Sequence, residues 1–325
     1  MINDSGILHS YKIESNGKSF PIDVSDFSID IKDKSFTWIH LDATEKASRI
    51  FLKSKIPFLD DLIINALFEE ETRPRITEFG EGTLIILRGV NLNERSQTED
   101  MVSIRLWVDS NHVFSVQLRS LKAIKDIEEL LIVGKGPVNT GHFISMLCKR
   151  LYERMDPVFS ELNEKIDAIE ERIIENVNTN ERQSINSIRK QAIIFRRYIA
   201  PQKDIILNLI NTEKKWIGSI NKRQLQENLN LIIRHVENLD LIRERAQIIK
   251  DELVAGITDK MNKNMYMLSV ITAIFFPLGF LTGLLGINVG GIPGTDNTNA
   301  FFIFCGILLG VILFQILLFK KLKWF

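Results

Sequence analysis

The spacing of apolar and polar positions changes character along the chain. In about the first 140 residues, short runs rich in β-branched and aromatic residues alternate with turn formers. Ser35–Asp42, Arg75–Phe79, Thr83–Val90, Val102–Val108 and Val113–Leu118 have the composition of strands. Gly80-Glu81-Gly82 and Asp109-Ser110-Asn111 supply hairpin turns between them. Asp60–Glu70 and Leu121–Leu131 switch to helical periodicity. The cluster Gly134-Lys135-Gly136-Pro137 then punctuates the chain.

From Gly141 onward the pattern is helical. Val158, Leu162, Ile166, Ile169, Ile173 and Val177 form one apolar stripe, broken by Asn178-Thr179-Asn180. A second helix starts near Gln183, with Pro201 either bending it or marking a boundary. A third stripe, Leu225, Leu229, Ile232, Val236, Leu239, Ala246 and Leu253, has the spacing of a coiled-coil seam, weakened by Arg243 and Lys250 in the same register. No Pro or Gly cluster separates this stripe from the apolar run that begins at Met265. The simplest expectation is one helix from near Asn221 to near Leu285, about 95 Å long at 1.5 Å per residue, with Gly256 and Pro277 as its points of flexure.

Two long apolar runs end the chain. No charged residue occurs from Met265 to Val289 or from Asn297 to Phe319. About 20 apolar residues in a helix cross the roughly 30 Å hydrocarbon core of a bilayer, and backbone groups in lipid must be paired internally, so each run is expected to be a spanning helix. The expected organisation is an α/β domain over 1–140, a helical stalk over 141–263, and a two-span domain over 264–325 with a connecting loop at 286–299.

The chain has 325 residues and a formal net charge of zero, but its charges are unevenly placed. Arg243, Arg245, Lys250, Lys260 and Lys263 precede the first span, and Lys320, Lys321 and Lys323 follow the second. The loop has no Lys or Arg, and Asp296 is its charged residue. The positive-inside rule therefore predicts both termini cytoplasmic and the loop outside. Met1–Ser19 is polar and mixed, unlike a cleavable signal. Cys148 and Cys305 do not suggest a disulfide framework.

The chemistry of the spans is sparse. Thr272, Gly279, Thr282, Gly283 and Gly286 place small or hydroxylated residues along the first span. They fit either close helix packing or space for water. The second span, with Ile307, Leu308, Leu309, Val311, Ile312, Leu313, Leu317 and Leu318, suits a lipid-facing position. Asn288 admits two readings: a left-handed helix cap, or, repeated around an axis, a ring of carbonyl acceptors for the waters of a hydrated cation. No His, Cys, Asp or Glu lies between Met265 and Val289, so zinc could not be held there by its usual inner-sphere ligands, nor could a side chain there carry a coupled proton. His9, His40, His112, His142 and His235 lack metal-ligand spacing. The acidic runs Glu69-Glu70-Glu71 and Glu170-Glu171 fit solvated faces. Nucleotide-loop, metalloprotease and paired-Cys motifs are absent, and basic residues alternate with acids, which argues against an enzyme of those classes and against nucleic acid as a partner.

Together these features resemble the CorA superfamily of divalent-cation transporters, in which Gly-Met-Asn ends the first of two C-terminal spans. Here the tripeptide is Gly286-Ile287-Asn288, with Ile in place of Met. The following Val289-Gly290-Gly291-Ile292-Pro293-Gly294 is similar to the zinc-transporting branch. So are Glu71-Thr72-Arg73-Pro74-Arg75, Gly80-Glu81-Gly82-Thr83-Leu84, Arg196-Arg197-Tyr198-Ile199-Ala200-Pro201-Gln202 and Lys323-Trp324-Phe325. The resemblance implies an α+β cytoplasmic domain, long helices forming a funnel, two transmembrane helices and a homopentamer, located in the inner (plasma) membrane. It implies a pore lined by Asn262, Met265, Leu268, Thr272, Phe276, Gly279 and Gly283, with Gly286, Ile287 and Asn288 as the selectivity loop. Gly290, Gly291, Pro293 and Asp296 belong to the external loop, and Asn288 meets the metal outer-sphere, through hydration waters. The implied cargo is a divalent cation, zinc above magnesium or cobalt, taken up with possible coupling to protons and with no bound cofactor. Gly279 stands where the magnesium branch usually has Thr, and Gly294 where it tends to carry an acid, which weakens the negative field at the mouth. A membrane-anchored helical scaffold or sensor is the alternative of another class.

Overall fold

The computed structural model describes residues 6–23, 35–175, 180–287, 292, 294 and 297–322. These fall into two compact units, one reaching to Asp251 and the other covering 252–325. A single helix, α7 (Ser219–Leu285), contributes to both.

In the first unit the strands β1 (Ile7–Ile13), β2 (Ser19–Pro21), β3 (Phe36–Asp42), β4 (Arg75–Phe79), β5 (Gly82–Gly89), β6 (Val102–Val108) and β7 (His112–Gln117) form one sheet in the order β2-β1-β3-β7-β6-β5-β4. Only β3 and β7 pair in parallel, Trp38 beside Val113 and His40 beside Ser115. The remaining pairs are antiparallel. Helices α1 (Lys46–Lys55) and α2 (Asp61–Phe68) close an apolar layer of Ile39, Leu52, Ile63, Leu67, Trp107 and Phe114. Asp60 caps α2 by accepting from the Ile63 amide at 2.9 Å. Helices α3 (Lys122–Ile132) and α4 (Thr140–Glu153) follow β7, and Phe143 of α4 packs on Trp38 with ring centres 5.1 Å apart.

The five strands expected from residue pattern are present. The hairpin of β1 and β2 and the helix α1 are additions to that expectation. The hairpin turns at Asn16-Gly17, a dipeptide suited to tight turns; Gly17 has φ +84, and its amide donates to Glu14 at 2.9 Å.

Helices α5 (Asp156–Glu175) and α6 (Glu181–Asn211) complete the first unit with the soluble part of α7. Pro201 lies inside α6 and ends nothing. The next residue, Gln202, is fully buried and clamps α6 to β5: its Nε2 donates to the Arg88 carbonyl at 3.0 Å, and its Oε1 accepts from the Arg88 amide at 3.3 Å. The stripe expected as a coiled-coil seam is used within the chain. Within the first unit Leu225, Leu229, Ile232, Leu239 and Ala246 are buried, and the same helix bonds inward through Asn228 to the Ser145 carbonyl, His235 to the Tyr152 carbonyl and Asn238 to Asn163. This corrects the seam reading: the α7 stripe closes the soluble core, so any self-association must use another face. The α5 stripe is likewise buried at Leu162, Ile166, Ile169 and Ile173, with Phe159 rather than Val158 leading it, while Val177 lies outside the described residues.

His40 makes this core acid-sensitive. It is fully buried, and its Nδ1 lies 2.8 Å from Ser115 Oγ, which also accepts from Trp38 Nε1 at 2.8 Å. Burial, reinforced by the neighbouring His9, pushes His40 down from 6.5 to about 4. Between these values the unfolded chain binds the proton that the folded chain refuses. Stability should therefore fall as pH drops from 6.5 to 4, by about 3 kcal/mol at most. Thermal midpoints across that window should show the loss, and His40→Gln should flatten it. An unchanged slope in the variant would assign the acid sensitivity to other groups.

Candidate functional site

The second unit consists of the end of α7 and the helix α8 (Ala300–Lys321). Both helices are long and apolar enough to cross a membrane. Along α7 the residues Val270, Ala273, Ile274, Pro277, Leu278 and Leu281 are buried or half-buried. Their counterparts on α8 are Phe304, Cys305, Leu308, Val311, Ile312, Gln315 and Phe319. Each set recurs at three- and four-residue steps, so each is one face of its helix. A hydrogen bond joins the faces, from Gln315 Nε2 to the Ala273 carbonyl at 3.0 Å.

The residues expected to line a pore occupy the other side of α7. Asn262, Met265, Leu268, Thr272, Phe276, Gly279 and Gly283 are all exposed on the single chain. At about 100° per residue, the stripe from Met265 to Gly283 is centred opposite the face that meets α8. Phe276 and Leu268 are among the most exposed large apolar side chains, at 72% and 65%. A Cβ added at Gly279 or Gly283 would meet nothing within 4 Å. Packing among the described residues therefore does not require glycine at either position.

Hydroxyls on the helix are tied to its own backbone. Thr272 Oγ1 donates to the Leu268 carbonyl at 2.9 Å, Ser269 Oγ to Met265 at 2.9 Å, and Thr282 Oγ1 to Leu278 at 3.0 Å. A hydroxyl whose proton is engaged in this way offers only its acceptor lone pairs to its surroundings. The bound waters of a metal cation turn their hydrogens outward, so an acceptor is the complement they need.

Gly286 closes the helix. Its amide donates to the Thr282 carbonyl at 2.9 Å, and a Cβ would stand 2.8 Å from that oxygen. A side chain there would displace the turn, which accounts for glycine at the start of the Gly286-Ile287-Asn288 tripeptide. Ile287 is exposed. Asn288, Gly290, Gly291, Pro293 and Asp296 lie outside the described residues.

In the first unit, two further blocks from the sequence meet. Glu71, Thr72 and Arg73 of one block and Arg197 and Tyr198 of the other border a cleft of about 650 Å³ with Arg88, Arg119 and Asp100. Arg88 stacks on Tyr198 at 4.4 Å and donates to the carbonyls of Thr72 and Met101. Four guanidinium groups and four carboxylates line the cleft in balance. Its chemistry is that of a clamp between β5 and α6. Glu170 is paired with Arg245. No three His, Cys, Asp or Glu side chains converge on a metal position among the described residues.

Sequence reasoning passed over Gln315. The signal was available, since it is the one side-chain amide in a helix otherwise built of apolar residues, glycine and terminal lysines.

Comparison with known proteins places this architecture. The family model for the CorA-like Mg2+ transporter protein matches residues 33–321. The divalent cation transporter CmaX of Pseudomonas aeruginosa is 34% identical over 325 residues, covering 99% of this chain and 98% of that protein. The zinc transport protein ZntB of Pectobacterium carotovorum subsp. carotovorum is 33% identical over 326 residues, with 99% and 97% covered. The solved structure of full-length CmaX aligns at a TM-score of 0.86 with 34% identity, over 98% of both chains. The CorA magnesium transporter of Methanocaldococcus jannaschii aligns at 0.81 with 16% identity, over 98% of this chain and 99% of that one, a likeness of fold. With its mixed sheet, its long helix and its two terminal apolar helices, the chain belongs to the CorA-like Mg2+ transporter family, a family of divalent-cation transporters.

Proposed function

We propose that this chain forms a homopentamer in the inner membrane, with both termini cytoplasmic, and that zinc is its principal cargo. The first span lines the pore and the second faces lipid around it. The stalk helices form the cytoplasmic funnel, and the units 1–140, 141–263 and 264–325 divide the labour accordingly. The observation that carries this reading is the opposition of two stripes on α7. One side packs on α8, while the side bearing Met265, Leu268, Thr272, Phe276, Gly279 and Gly283 has no partner face among the described residues. A helix hairpin cannot enclose a path by itself, but several copies sharing that stripe can.

The cation travels hydrated. Between Met265 and Ile287 there is no carboxylate, imidazole or thiol, so inner-sphere capture of zinc is ruled out within the helix. Thr272 offers acceptor lone pairs, and Asn288 supplies the carbonyl ring of the selectivity loop. Met265, Leu268 and Phe276 form apolar constrictions that gate by excluding water. The relative named for zinc transport supports zinc as cargo; the generic name of the other relative leaves magnesium or cobalt as the competing outcome of a flux test. Coupling to protons would have to use groups outside the pore helix, such as Asp296 or the soluble domain. A scaffold would have no use for glycines at Gly279 and Gly283, which packing among the described residues does not demand.

Uptake into proteoliposomes tests the cargo: zinc flux should exceed magnesium flux and resist magnesium competition, and the reverse ranking would assign the protein to magnesium or cobalt. Asn288→Ala should abolish uptake while leaving the assembled complex intact, whereas near-normal flux would reduce Asn288 to a helix cap. Leu268→Ser or Met265→Ser should raise the leak of divalent ions per assembled complex by wetting a constriction. Ile274→Ser, on the α8 side, should lower assembly without a leak. Equal behaviour of the two faces would contradict the assignment of the pore stripe.

A further inference from the structure

Pro277 lies inside α7, within the first span. Proline has no backbone N–H, so the carbonyl four residues back, that of Ala273, loses its helical donor. In hydrocarbon such a carbonyl must be paired by another group. The donor is Gln315 on α8, whose Nε2 lies 3.0 Å from the Ala273 oxygen. Gln315 is 8% exposed, and its Oε1 has no hydrogen-bond partner among the described residues. A leucine or methionine would fill similar space without burying an unpaired oxygen. What those side chains lack is the N–H.

From this we infer that Gln315 is a positioning residue for transport. It replaces, from the second span, the backbone donor that Pro277 removes from the first. Ala273 stands directly after Thr272 and one turn before Phe276, at the edge of the side that meets α8. A bond fixed at its carbonyl therefore sets the rotation and bend of the segment that presents Thr272 and Phe276. The inference rests on the reading that this stripe lines the conduction path. It makes a specific claim: Gln315 matters only while residue 277 is proline. With alanine at 277, the backbone N–H returns to the Ala273 carbonyl, and the glutamine has nothing left to supply.

The test is a double-mutant cycle on the full-length complex, using Gln315→Leu, Pro277→Ala and the pair. Two readouts are needed: thermal stability of the detergent-solubilised complex, and zinc flux per assembled complex in proteoliposomes. Gln315→Leu alone should lower flux by about three- to twentyfold, the range of one interhelical hydrogen bond in a membrane protein, and lower the midpoint of unfolding. In the Pro277→Ala background the same substitution should change either readout less than twofold or not at all. If Gln315→Leu alone does not assemble, recovery of assembly in the pair is the equivalent result. Additive effects in the two backgrounds overturn the inference. So does coupling in stability with flux per complex untouched, which would leave a structural bond without a role in transport. Thr272→Val and Leu268→Ser in the same assay report on the path itself. If these are silent while Gln315 and Pro277 remain coupled in stability, the pore-lining reading has failed and the bond between spans stands; if these are active while Gln315 and Pro277 are additive, the reverse holds.

Discussion

A backbone polar group out of reach of water must be paired inside the protein, and α7 meets that demand over 67 residues in two different surroundings. Its first part closes the core of the soluble unit, and its last part is uncharged and apolar. A regular helix satisfies its own backbone throughout, which is why one element can serve both. The exceptions are the prolines. At Pro277 the helix needs a donor from outside, and Gln315 provides it. Near Pro201 in α6, Gln202 turns its amide to the Arg88 strand and to the Tyr198 carbonyl. In both places a glutamine stands beside the interruption and ties the helix to its neighbour.

Pairing the backbone internally leaves the side chains of the first span to interact with whatever lies beside them. One face is taken by α8. The other carries large apolar groups interrupted by a threonine and by glycines, with the threonine proton returned to the helix. Such a surface holds no charge and no ligand able to strip water from a metal. It suits an ion that keeps its hydration shell, and a gate made by wetting and drying. Tight capture would oppose fast release, so the absence of strong ligands in this helix is consistent with conduction.

Much of this was legible in the residues. The long helix is expected near Asn221 to Leu285 and runs from Ser219 to Leu285, because nothing in between opposes it except Pro277 and the glycines Gly256, Gly279 and Gly283. The strands with β-branched cores were equally plain. The β1 and β2 hairpin was not, since Ile7–Ile13 mixes polar with apolar positions and is only partly buried. The Leu225–Leu253 stripe was visible, but periodicity cannot say whether a face meets its own chain or another copy. The partner is supplied by α4, α5 and α6, elements distant in sequence. Gln315 stood out by composition, yet its role depends on Pro277, and only the fold brings the two helices together.

The central claim is that one face of the first span borders water in the assembled complex while the opposite face does not. Cysteine scanning across residues 262–283 addresses it directly, in a background where Cys148 and Cys305 are replaced. The rate of modification by a small hydrophilic thiol reagent would be measured on the assembled complex in lipid. The account predicts maxima at positions 265, 268, 272, 276, 279 and 283, and minima at 270, 274, 277 and 281, a period of about 3.6 residues. A flat profile, or maxima on the α8 side, would contradict it.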